Sequence, residues 1–170
     1  AANGEVIGIT SMALDITERK QAEEKLKKQE QFLRTVYDGA DHALIVIDVS
    51  EDGHFRYAGI NSAAERDTGF NKIQVIGKTP EELFGEIEGA KLSRNYRKCV
   101  ETGESFSFEE CLTFREQKTC WLTTINPLKD NSGKVHRLVG TSIDITERRQ
   151  AEIALNNSLK ESADIKFALD

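Results

Sequence analysis

The sequence predicts an α+β domain: one antiparallel β-sheet, helices on one of its faces, and a connecting helix on either side. Three observations lead there. Five apolar segments bounded by Gly, Asn and Asp turns are split into two before and three after a helical stretch. Two highly charged segments without Gly or Pro flank that core. The junction Asp-Ile-Thr-Glu-Arg occurs twice, at 15–19 and 144–148, each time leading into one of the charged segments.

The bounds are consistent with this. A chain of 170 residues holds one domain of ordinary size plus some extra helix. It is 38% hydrophobic and 31% charged, and no apolar run is long enough to span a membrane. The start, "AANGEVIG", lacks a basic segment followed by an apolar one and reads as a cut into a longer protein. A net charge of −6 argues against a nucleic-acid binder, which usually carries a basic stripe. Cys99, Cys111 and Cys120 form no C-x-x-C pair and no metal spacing, so they read as buried reduced thiols of a cytoplasmic protein with no direct membrane contact.

Residues 5–14, "EVIGITSMAL", read as a strand because β-branched residues fill their first half. Residues 18–39 read as a helix, with Asp15 as its cap and Glu18 three positions on. Ala22, Leu26, Gln29, Leu33 and Val36 alternate at spacings of four and three, a seam suited to pairing with a second helix in a homodimer. "HALIVIDV" is a buried strand, "SEDGH" a turn, and "FRYAGIN" the returning strand of a hairpin. Asn61 or Ser62 can cap a short helix that Gly69 stops, and a second turn covers 71–76. Thr79 and Pro80 start a third helix, and "EIEGAKLSRNYRKCVETG" is a fourth that runs to Gly103. "SFSFEECLTF", "KTCWLTTINPL" and "KVHRLVGTSID" are the three closing strands, with "KDNSGK" as the last turn. The first and fourth core strands are apolar on both sides, so the sheet face opposite the helices needs a cover, which a flanking helix can supply.

Several stretches resemble the PAS domain family: "YAGINSAAERDTGFNKIQVIGKTPEELF", "ETGESFSFEE", "WLTTINPLKDNSG" and "LVGTSIDITER". They cover residues 40–146 in order. The resemblance implies a PAS fold with a five-stranded sheet in the order 2-1-5-4-3. "VIGITSMALDITER" is similar to the last strand and exit motif of another such unit. The expected organisation is therefore 1–17, the remnant of an upstream PAS unit; 18–39, an amphipathic linker helix; 40–146, the PAS domain; and 147–170, a linker helix toward the next domain. Asp144, Ile145, Thr146, Glu147 and Arg148 are then the signal-transfer junction.

The family's geometry, with strand alternation, points Ile45, Ile47, Cys111, Trp121, Thr123, Ile125 and Ser142 toward the helices, with Leu83 and Phe84 closing a pocket. These side chains either fill the core or line a small cavity for an apolar or carboxylate-bearing metabolite, anchored by Thr123 and Ser142. Light-oxygen-voltage members carry a reactive cysteine where "GKTPEELF" has Pro80, so the resemblance implies no covalent flavin photochemistry here. Haem-binding members place an axial His where this chain has Leu92, and His42, His54 and His136 lie elsewhere. Tyr96 and Cys99 are on that helix, and Tyr96 reads as packed with its hydroxyl at the rim. No cofactor and no metal are expected.

No nucleophile motif, H-E-x-x-H or P-loop is present, so catalysis within this chain is not expected. The implied function is a sensory, signal-relay and dimerisation module of a larger protein, such as a two-component histidine kinase or a cyclic-dinucleotide enzyme. It would work beside adjacent PAS and output domains. The competing readings are a purely structural dimerisation spacer with a filled core and, last, a small-molecule enzyme.

Overall fold

The structure is a computed structural model that describes the backbone of residues 4–114 and 117–169, and the side chains of 16–113 and 117–161. The chain divides into two compact units, Ala1–Gly39 and Ala40–Asp170.

The first unit is one continuous helix, α1 (Gly4–Gly39). The strand expected over 5–14 is corrected: that backbone is helical, and no helix starts at Asp15. A lone strand leaves its N–H and C=O groups without partners, whereas a helix pairs them within the segment. Extending the strongly helical 18–39 backward also needs no second nucleation. Within α1, Leu26 and Leu33 are 66% and 59% exposed in the single chain.

The second unit is a five-stranded antiparallel sheet with strand order β2-β1-β5-β4-β3. Its strands are β1 (Ala43–Val49), β2 (Phe55–Ile60), β3 (Phe106–Phe114), β4 (Gln117–Lys129) and β5 (Val135–Asp144). Between β2 and β3 lie α2 (Ser62–Thr68), α3 (Lys72–Val75) and α4 (Pro80–Thr102); α5 (Thr146–Leu169) leaves from the end of β5. The expected PAS order is the observed one.

Local chemistry sets the helix ends. Of the two candidate caps for α2, Asn61 acts: its Oδ1 accepts from the N–H of Ala64 and of Leu44, each at 2.9 Å. Its amide also donates to the carbonyl of His42 at 3.0 Å, so one buried side chain ties β1 to α2. Asn71 and Thr79 each close a capping box on α3 and α4, with Gln74 and Glu82 as partners. The third and fourth expected helices are joined as α4 but bend sharply at Gly85, where φ is 78°. At Gly89 an added Cβ would lie 2.3 Å from the Glu81 Cα, so only glycine lets the two halves meet. That bend aims Leu83 and Phe84 at the sheet.

The core lies between the sheet and α2–α4. Ile47, Ile125, Leu138, Tyr96 and Cys99 are fully buried there. The outer face carries Leu44, Val46, Leu122, Val139 and Ile143, and these stay partly exposed. The expectation of three reduced thiols is also corrected. Register places Cys111 directly opposite Cys120, and the two form a disulfide, leaving Cys99 as a buried free thiol.

Candidate functional site

A cavity of about 70 Å³ lies between the inner sheet face and the helices. Ala43 and Ile45 of β1 and Tyr57 and Ile60 of β2 form its floor on one side. Glu110 and Leu112 of β3, Trp121 of β4 and Ser142 of β5 form the other. Ala64, Thr68, Phe70, Val75, Leu83, Phe84, Leu92 and Tyr96 close it from the helical side. Strand alternation explains Ala43 with Ile45 and Glu110 with Leu112, which are two apart; Tyr57 and Ile60 are three apart and share the face because the β1–β2 register shifts between Val46 and Ile47. The pairs Ala43↔Ser142, Thr123↔Ser142 and Glu110↔Trp121 bring distant strands into one patch. Gly140 belongs to the same face, and a Cβ there would meet Ile45 Cγ1 at 2.6 Å. The absence of a side chain at 140 thus lets Ile45 lie across the floor.

The walls are mainly aromatic. Tyr57 and Phe84 meet edge-on with centroids 6.4 Å apart, and Phe70 and Phe84 at 6.2 Å. Trp121 is 3% exposed and its indole N–H donates to Thr119 Oγ1 at 3.0 Å. The hydroxyls of Tyr57 and Tyr96 are hydrogen-bonded at 3.0 Å. Burial pushes both phenols well above their ordinary range, so both stay neutral and available as donors or acceptors. The Tyr96 hydroxyl is therefore inside the core, not at the rim as the sequence suggested.

One charged group faces this apolar space. Glu110 Oε1 accepts from Thr123 Oγ1 at 2.9 Å, and Thr123 and Ser142 hydroxyls are 2.9 Å apart. Because the Thr123 proton points to Glu110, the Ser142 hydroxyl must donate to Thr123. Burial raises the Glu110 carboxyl to about 7; the Thr123 bond opposes this, and the Glu88 charge adds to it. Glu110 also borders an open groove lined by Glu88, Lys91, Asn95 and Lys118. It is thus a half-buried acid between the cavity and solvent.

Of the residues proposed from sequence, Ile45, Leu83, Phe84, Trp121 and Ser142 line the cavity. Ile47 and Ile125 lie in the adjoining core, and Thr123 reaches the cavity's acid through its hydroxyl. Cys111 does not belong: it pairs with Cys120, while its neighbours Glu110 and Leu112 face inward. Leu92, where the resemblance looks for an axial ligand, presents an apolar wall. Pro80 is buried as the first residue of α4. Glu110 and the tyrosine pair were missed. The signal for Glu110 was legible in "FSFEECLTF": Phe106, Phe108, Glu110 and Leu112 fall two apart, which places an acid on an otherwise apolar face.

The repeated junction is anchored to the same strands. Asp144 Oδ1 accepts from the Thr146 N–H at 2.8 Å, a side-chain turn just ahead of α5. Ile145 is buried and its N–H donates to the Cys120 carbonyl at 2.8 Å; the Cys120 N–H donates to Thr146 Oγ1 at 2.9 Å. Arg148 and Arg149 both reach the Glu109 carboxylate, the latter at 2.7 Å. Glu147 is exposed. So Glu109 and Cys120 hold α5, while the next residues, Glu110 and Trp121, line the cavity from the opposite face. In α1, the seam residues Ala22, Leu26, Gln29, Leu33 and Val36 are all exposed in the single chain.

The family model described as "PAS fold" matches residues 37–150. The chain is 29% identical over 136 residues to the aerobic respiration control sensor protein ArcB of Escherichia coli (strain K12), covering 79% of this chain and 17% of that protein. It is 28% identical over 153 residues to a methyl sulfide methyltransferase-associated sensor of Methanosarcina acetivorans, covering 85% of this chain and 14% of that protein. The chain thus spans under a fifth of either relative's length. Among solved structures, the PAS domain of Bordetella pertussis BvgS matches with TM-score 0.52 and 26% identity, covering 79% of this chain and 98% of that one. An RNA-binding light-oxygen-voltage receptor matches with TM-score 0.65 and 21% identity, covering 77% and 37%, a likeness of fold alone.

Proposed function

This chain belongs to the PAS fold family, and from that premise we propose that it is a sensory and signal-relay module of a larger signalling protein. The observation that carries this reading is the back-to-back placement of cavity and exit helix on β3 and β4. Glu110 and Trp121 line the cavity, and their neighbours Glu109 and Cys120 hold the start of α5. A small shift of either strand must change both faces, because side chains on one strand share one backbone. Occupancy of the cavity would then bias how firmly Ile145, Thr146, Arg148 and Arg149 grip the sheet.

The output is a histidine kinase or cyclic-dinucleotide enzyme elsewhere in the larger protein, with further PAS units beside this one; the likeness to sensor proteins supports a sensory setting. The module itself carries no catalytic step. It acts as a homodimer, supported by the exposed Leu26, Leu33 and Val36 of α1. A structural spacer remains the second reading, favoured by how small the cavity is.

The test is to fill the cavity and watch the junction. Ala64→Met adds bulk at the cavity wall, far along the chain from α5. Hydrogen exchange at the amides of 145–149 should change at least several-fold, with the melting transition still cooperative. Unchanged exchange there, with the cavity filled, would leave the spacer reading in its place.

A further inference from the structure

We propose that the cavity takes a small alkylammonium ion, held by the Glu110 carboxylate within the aromatic walls. This rests on the sensory reading above and names the class of ligand.

Four observations converge. The cavity, about 70 Å³, has room for roughly two waters' share of volume, or one molecule of about four non-hydrogen atoms. Tyr57, Phe70, Phe84, Tyr96 and Trp121 face it, and the negative faces of such rings attract a cation. Glu110 is the one charged side chain among the described residues that line it, and no basic group lines it. Among the described residues Glu110 also has no salt-bridge partner: Arg148 and Arg149 are engaged with its neighbour Glu109, and Lys91 is held by Glu88 at 2.8 Å.

The chemistry of the alternatives is less favourable. A carboxylate ligand would sit against Glu110 with no cation to offset it. A neutral apolar ligand would fill the volume but leave the half-buried carboxylate without a counter-charge. An ammonium supplies both the counter-charge and, where protonated on nitrogen, a donor to the carboxylate oxygen.

Protonation sets the pH dependence. The groups around Glu110 are Thr123 and Lys118 from β4, Tyr57 from β2, and Glu88, Lys91 and Tyr96 from α4. A cation binds the ionised acid, so affinity should rise about tenfold per pH unit below 7 and level off above it.

The probes are isopropylammonium chloride and isopropyl alcohol, which share one branched skeleton of four non-hydrogen atoms and differ in charge. Each is titrated into the whole chain at pH 8 against matched sodium chloride, reading the indole N–H resonance of Trp121. The ammonium should bind at least tenfold more tightly than the alcohol. Glu110→Gln should remove that preference and leave alcohol binding intact, and Phe84→Leu should weaken the ammonium several-fold more than the alcohol. Equal affinity for the two probes, or an ammonium preference that survives Glu110→Gln, overturns the inference. The same holds if neither probe binds. The sensory reading then stands or falls separately, on the exchange response to Ala64→Met.

Discussion

The backbone of Cys120 is bonded in both directions to the exit junction: its N–H donates to Thr146 Oγ1 at 2.9 Å, and its carbonyl accepts from Ile145 at 2.8 Å. Thr146→Val keeps the shape and removes the acceptor. The loss should cost about 1 kcal/mol, because the Cys120 N–H is only partly shielded from water. Amides in the first turn of α5 should exchange faster, while those of β1 and β2 should not change. Uniform acceleration across the sheet would show that Thr146 serves global stability and not the junction.

Glu110 gives a pH dependence whose sign is set by burial. In the unfolded chain its carboxyl ionises near 4.5; in the fold it holds its proton to about 7. Between those values the folded state binds more protons, so stability falls as pH rises through the window. Glu110→Gln should remove this slope and gain on the order of 1–2 kcal/mol at pH 8, a figure discounted for the acid's solvent-facing edge. Urea midpoints at pH 4.5, 6 and 8 for both proteins measure it. A difference between them that does not change with pH would mean that Glu110 titrates as an exposed acid.

Gly140 is required by its neighbour. A methyl at 140 meets Ile45 Cγ1 at 2.6 Å and Cδ1 at 2.9 Å. Gly140→Ala should cost about 1–3 kcal/mol by overpacking. Ile45→Ala in the same chain should recover part of that loss, and a double-mutant cycle should show coupling. Strict additivity would place the clash elsewhere.

Leu26, Leu33 and Val36 leave an apolar stripe on α1 exposed. Wild type should sediment as a dimer at about 100 μM, and Leu26→Glu with Leu33→Glu should shift it to monomer. The melting of the sheet domain should be unaffected, since the substituted helix is a separate unit. A wild type that is monomeric at that concentration would remove the seam from the proposal.

The sequence by itself determined every feature whose cause is local. Thr79, Pro80 and Glu82 mark the start of α4 within four residues; Gly69 and Gly103 stop α2 and α4; the five core strands follow from short apolar runs between turns. Even Glu110 was legible, since a period of two along β3 needs no partner strand. Residues 5–14 were misread because β-branched residues favour a strand only when another strand is there to pair with. What the tertiary structure alone decided depends on register between strands distant in sequence. Register set Cys111 opposite Cys120, and brought Thr123 to both Ser142 and Glu110. The fold likewise set the Tyr96 hydroxyl on that of Tyr57, across 39 residues of chain. A one-residue slip would invert every such contact, and only the assembled sheet, by burying one face, fixes which register holds.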